Sequence, residues 1–151
     1  MSAVNVRIVT DPLDGAAEVT RLRALPNVGA IVTFSGICRD EGGRLSALEL
    51  EHYPGMAEAE ITRIATEAAD RWPIAGISVI HRSGRVPVGD DIVLVATAST
   101  HREAAFAAAN FVMDFLKTRA PFWKKEHGAE GSGDWVAPKS DDDDKTRRWK
   151  T

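Results

Sequence analysis

Residues 98–126 read A-S-T-H-R-E-A-A-F-A-A-A-N-F-V-M-D-F-L-K-T-R-A-P-F-W-K-K-E. Thr100 followed three places later by Glu103 is the pattern of a capping box, in which a hydroxyl takes an orphan helix N–H and a carboxylate reaches back to the cap's own amide. A helix is therefore expected to begin here. Val112 and Leu116 stand one turn apart, as do Phe111 and Phe115, and with the alanines between them they supply an apolar stripe for packing. Pro121 stops the helix and opens a return segment.

Packing does not account for the charges at the two ends. His101 and Arg102 fall in the first turn, where the exposed N–H groups already disfavour a cation by on the order of a few tenths of a kcal/mol. Either both side chains swing into solvent, or an imidazole and a guanidinium join the helix amides around an oxyanion. At the other end Lys117, Arg119, Lys124 and Lys125 crowd together beside Phe122 and Trp123. Mutual repulsion, and burial of a lysine under either ring, would favour a neutral amine able to act as nucleophile or proton carrier. The alternative for Lys117 is an ion pair with Asp114 and the helix C-terminal dipole.

Working back from this helix, residues 92–98 form an almost wholly apolar strand, preceded by a looped or hairpin-like excursion over 84–90. Val4, Val6 and Ile8 alternate with polar neighbours, the period of a half-buried strand over 4–10. Asp11-Pro12 and Asp14-Gly15 turn the chain into a short helix over 16–24, closed by Pro26. Residues 28–39 are β-branched and hydrophobic, a long strand in which Gly36 marks a bulge or a close backbone approach. A mobile loop follows over 40–44. Residues 45–52 give another strand, 56–72 a helix with Ile61, Ile64, Ala65 and Ala68 on one face, and 74–81 a strand. His81-Arg82 either orients a loop, contacts a partner or is structural. Residues 134–136 add a short edge strand.

One domain is expected over 1–140, with a charged tail over 141–151. The order β-α-β-β-α-β-β-α-β gives an α+β class with a mixed or antiparallel sheet and three main helices. With 151 residues, 44% hydrophobic and 27% charged, the chain can bury a core without staples. The net charge of −3 provides no basic field for nucleic acid, and no segment has the length of a membrane span. Cys38 is the only cysteine. It reads as a small core residue in a reducing, cytoplasmic setting, and it excludes an internal disulfide or a cysteine-based metal cluster.

The run M-D-F-L-K-T-R-A-P-F-W-K-K-E over 113–126 resembles the signature of the molybdopterin synthase catalytic (large) subunit family. V-T-F-S-G-I-C-R over 32–39, L-E-L-E-H-Y-P-G-M over 48–56 and V-I-H-R-S-G over 79–84 agree with it in order and spacing, and the likeness extends from Val6 to about residue 140. The resemblance implies an α/β-hammerhead type of fold and sulfurtransferase activity. Two sulfurs pass to cyclic pyranopterin monophosphate from the C-terminal Gly-Gly thiocarboxylate of a small ubiquitin-like sulfur-carrier subunit, forming the dithiolene of molybdopterin. It also implies a homodimer at the core of a heterotetramer, with no resident metal or cofactor.

Carried over residue by residue, Lys117 becomes the central catalytic amine and Lys124 the second, activating Lys117 or stabilising an oxyanion. Arg39, which could otherwise be an ordinary loop cation, contributes to the substrate pocket with Phe34 and the Ile37-Cys38 backbone nearby. Ile37 replaces the basic residue found in some relatives. His101 and Arg102 hold phosphate and pterin, Lys125 lines the pocket, and Glu126 either lines it or forms a salt bridge that fixes the lysines. Related chains end in an acidic stretch and an Arg-Trp pair, which favours a native tail over the protease-tag reading of 141–145.

One inference is independent of the family. His101 and Lys117 differ by sixteen helical positions, about 24 Å at 1.5 Å per residue, so one small ligand cannot touch both in a single copy. A symmetric dimer, the helix start of one copy meeting the helix end of the other, would unite them. The competing class is a non-enzymatic α+β dimer that senses an anionic metabolite through the same cations.

Overall fold

The structure, a computed structural model, describes residues 3–128, 131–136, 147 and 149. In order the elements are β1 (Ala3–Val9), α1 (Gly15–Arg23), β2 (Ala30–Ile37), β3 (Leu45–His52), α2 (Met56–Arg71), β4 (Ile74–Arg82), β5 (Gly84–Pro87), β6 (Asp91–Ser99), α3 (Arg102–Arg119), β7 (Phe122–Gly128) and β8 (Gly131–Val136). The strands divide between two sheets, ordered β1-β4-β6-β2 and β5-β3-β7-β8. Among the described residues β1 and β4 pair in parallel and the other pairs are antiparallel.

The near-continuous apolar run of β6 reflects its place inside the first sheet, with both faces covered. On one face α2 and α3 bury Ile61, Ile64, Phe111 and Val112 against Ile77, Val79 and Val95. On the other, Leu22 of α1 packs against Ala96 and Ala98. Asp14 caps α1 by accepting from the Ala17 amide at 3.0 Å. Glu18 of the same helix is buried yet satisfied by Arg7, Arg21 and Asn5. The second sheet has its own small core of Cys38, Leu45, Leu50 and Val86.

Several expectations need correction. The capping box at Thr100 and Glu103 does not form: α3 starts at Arg102, with His101 as a cap lacking a side-chain bond. The Thr100 hydroxyl is taken by tertiary contacts, donating to the Asn27 backbone carbonyl at 3.0 Å and accepting from the Asn27 side-chain Nδ2 at 3.2 Å. β2 stops at Ile37, two residues short of Arg39, because the ladder shifts register between Gly36 and Ile37. The segment after Pro121, read as a return, is strand β7, pairing with both β3 and β8. Its far end is pinned at Gly128, where a Cβ would lie 2.3 Å from the Arg44 carbonyl oxygen.

Of the expected tail, Arg147 and Trp149 are described and the other residues of 141–151 lie outside the described residues. Trp149 lies against Trp72 and Phe111, with ring centroids 5.6 and 5.5 Å apart. Its indole N–H donates to Asp114 at 2.6 Å, and its carbonyl accepts from Arg71 at 2.8 Å.

Candidate active site

Register in the first sheet creates two ends with different chemistry. At one, Ser99 of β6 lies between Ala30 and Ile74; at the other, Val93 lies between Gly36 and His81. α3 leaves the first end and runs back across the sheet. His101 and Arg102 therefore stay at the Ser99 end, and Lys117 reaches the Val93 end, where β2 delivers Arg39. One chain brings together Lys117 and Lys124 and leaves His101 and Arg102 remote.

Lys124 joins Lys117 because only Ala120 and Pro121 separate α3 from β7. Strand alternation sets Phe122 and Lys124 on one face of β7, opposite His52 and Leu50 of β3, and turns Trp123 and Lys125 the other way. Phe122 packs onto the main core. Its ring stacks on His81 with centroids 3.9 Å apart and planes 15° from parallel, and tilts against His52 at 5.6 Å. Lys117 and Lys124 remain exposed, so the expected burial of a lysine under Phe122 does not occur; the aromatic covers an imidazole instead. Among the described residues Lys117 forms no ion pair, and Asp114, its proposed partner, is buried and receives the Trp149 indole.

His81 sits at the centre of this surface. Its Nδ1 lies 2.8 Å from the Arg82 carbonyl oxygen; a carbonyl only accepts, so Nδ1 carries the proton and the neutral ring keeps its lone pair on Nε2. Burial pushes the ring down to about 4, the hydrogen bond to Arg82 opposes this, and the charges of Lys117, Lys124 and His52 lower it further. Four elements thus converge: α3, β7, β4 and β3.

The remaining predicted residues have separate surroundings. Phe34 is 40% exposed, and its ring lies over Gly36, where a Cβ would come within 3.3 Å of the ring and 2.8 Å of the Val93 side chain; of the two readings of Gly36, the ladder's register shift between Gly36 and Ile37 bears out the bulge. Ile37 is 52% exposed and Cys38 1% exposed. Burial is the main cause raising the Cys38 thiol above its ordinary value, which makes it a core residue and not a nucleophile. Arg39 is exposed and pairs with Glu41 at 3.4 Å. Lys125 lies over the Trp135 ring at 5.5 Å, on the face of β7 away from the two amines. Glu126 takes Arg44 at 3.3 and 3.4 Å, so the salt bridge expected to fix the lysines fastens β7 to the chain entering β3.

Arg82 is 5% exposed and settles one alternative left open above, since it holds a loop. It donates to Asp90 at 2.9 Å and to the Thr10 carbonyl at 3.4 Å, and its Nε has no hydrogen-bond partner among the described residues. The Asp90 backbone in turn accepts from the Cys38 amide at 2.9 Å, so this guanidinium steadies the base of Arg39. Sequence reasoning missed His52 and gave His81 no part in the site. The available signal was the recurrence of His at the ends of two strands, His52 closing β3 and His81 near the end of β4.

These features describe a small α+β protein with Lys117 and Lys124 at one end of a mixed sheet and His101 and Arg102 at the other. A family model described as MoaE protein matches residues 8–119. A molybdopterin synthase catalytic subunit from Mesorhizobium japonicum is 60% identical, with 100% of this chain and 98% of that protein covered. One from Rhizobium meliloti is 64% identical, with 97% and 96% covered. Among solved structures, the molybdopterin biosynthesis MoaE protein from Burkholderia ambifaria superposes with a TM-score of 0.84 at 49% identity, covering 99% of this chain and 98% of that one. The chain belongs to the MoaE family.

Proposed function

We propose that this chain is the catalytic subunit of a molybdopterin synthase, a sulfurtransferase that moves sulfur from the thiocarboxylated Gly-Gly end of a small carrier subunit onto cyclic pyranopterin monophosphate. The observation that carries the assignment of the site is the meeting of Lys117 and Lys124 on one exposed surface around His81. Two amines, Lys117 in the last turn of α3 and Lys124 on β7, offer N–H donors to a thiocarboxylate carbonyl oxygen, which takes negative charge when water adds to the carbon and gives it up as the C–S bond breaks and the sulfur stays with the pterin. Lys117 is the central amine and Lys124 its assistant. Arg39, at the same end of the sheet, meets phosphate, with Phe34 and the backbone at Ile37 and Cys38 beside it.

His101 and Arg102 complete the substrate site from a second copy, since about 24 Å of helix separates them from Lys117. The cytoplasm is the fitting compartment for a chain whose one cysteine is a buried thiol. Molybdenum enters at a later step, so the site needs no resident metal. No helix among the described residues is long and apolar enough to cross a membrane.

The test supplies purified chain with thiocarboxylated carrier and precursor. Wild-type protein should form the dithiolene product. Lys117→Ala should keep its fold and carrier binding and lose at least about 100-fold in turnover. Near-normal turnover by Lys117→Ala would remove that lysine from its role. Tight precursor binding by the wild type, with no turnover when carrier is present, would make the protein a metabolite sensor instead.

A further inference from the structure

The His81 ring is held on three sides. Its Nδ1 edge is committed to the Arg82 carbonyl at 2.8 Å, one face is closed by Phe122 at 3.9 Å, and its strand is bonded into the sheet between β1 and β6. The groups acting on it from other elements are Lys117 of α3, Lys124 of β7 and His52 of β3. On its own strand the Arg82 guanidinium is turned away to Asp90 and Thr10. No carboxylate is among the groups acting on the ring in the described residues.

Phe122, stacked on His81 at 3.9 Å, and Lys124, two places further along the same face of β7, put one amine beside the imidazole, and the last turn of α3 carries Lys117 to the same end of the sheet. A fixed imidazole whose unbonded nitrogen is an acceptor is the complement of an N–H donor. We propose that His81 is a positioning residue for Lys117 and Lys124, its Nε2 lone pair acting as the acceptor that orients an amine at the reactive surface. Because burial holds the ring neutral down to about pH 4, the acceptor persists through the physiological range. The same fact excludes His81 as the proton carrier: an imidazole this hard to protonate takes a hydrogen bond from an ammonium without taking its proton. A cation in its place would repel both amines.

The inference rests on the proposed function in treating the two lysines as reactive, so its test has an arm independent of turnover. His81→Phe keeps the stack on Phe122 and removes both nitrogens. His81→Asn reaches only the Nδ1 position and keeps the donor to Arg82. His81→Gln places an amide oxygen near the Nε2 position. With carrier and precursor supplied, kcat should fall about 10- to 100-fold in the Phe and Asn variants, with KM changed by less than about 2-fold, and Gln should recover part of the loss. In the second arm, the titration of the Lys117 and Lys124 side-chain nitrogens is followed by NMR in isotopically labelled chain without substrates. The midpoint of at least one should move in the Phe variant and return towards wild type in the Gln variant.

Wild-type kcat in His81→Phe, or equal rescue by Asn and Gln, would overturn the proposal and leave His81 a packing residue. If the wild type itself proved inert with carrier, the proposed function would fail and the NMR arm alone would decide. Unmoved lysine midpoints there would overturn the positioning role, and moved ones would sustain it.

Discussion

At position 81 a polar ring is kept neutral by its surroundings, and that has a consequence for folding. In an unfolded chain the imidazole titrates near 6.5, and in the folded protein near 4. Between these values the unfolded chain binds more protons, so stability rises with pH across the window. The contribution is complete above about 6.5 and is lost as pH falls towards 4, up to about 3 kcal/mol in all. Urea midpoints measured at pH 7 and pH 5 should therefore differ in the wild type, and His81→Phe should narrow the gap. An unchanged gap would place the acid sensitivity elsewhere. The sequence put Lys117 and Lys124 forward because cations crowd on both sides of Pro121 and because the run over 113–126 carries the family resemblance. It could not show that His81 and His52 join them, since that neighbourhood is assembled from elements far apart along the chain and has no spacing to read.

At the scale of elements, local rules held where nothing competed with them. Asp14 caps α1 because its side chain has no stronger partner, whereas Thr100 is drawn off by Asn27 and leaves α3 with a cap lacking a side-chain bond. Strand β7 escaped detection because both of its faces carry an aromatic and a cation, Phe122 with Lys124 and Trp123 with Lys125, which erases the alternation that marks a half-buried strand. Trp149 illustrates the opposite case, an apolar side chain hidden in a charged run. It covers Phe111 and Trp72 and satisfies the buried Asp114. Trp149→Ala should cost about 2 kcal/mol, less than the loss of a fully buried ring. In calorimetry that corresponds to a fall of roughly 4–8 °C in Tm. No change in Tm would show the indole to be dispensable.

Over the whole molecule, α3 acts as a strut that keeps two sets of cations apart. The sixteen positions between His101 and Lys117 were legible from the start, and α3 runs unbroken from Arg102 to Arg119, which keeps its two ends apart. The division into two sheets was not legible, because which strands pair depends on contacts between distant segments. If the site is shared, mixing Arg102→Ala with Lys117→Ala should restore one intact site per hybrid dimer, about a quarter of wild-type activity after random reassortment. Each variant alone should stay nearly inactive. Absence of rescue, with subunit exchange verified, would place the whole site within one copy.

The anchoring of Gly128 beneath the Arg44 carbonyl carries a last implication. Phe122-Trp123-Lys124-Lys125 nearly repeats itself when displaced by one place, ring for ring and amine for amine, so β7 is poorly protected by its own side chains against threading out of step with β3. A chain advanced by one would set Lys125 where Lys124 belongs, and would also bring Ala129 to the point where a methyl meets the carbonyl oxygen at 2.3 Å. The glycine at 128 thereby disfavours the slipped pairing.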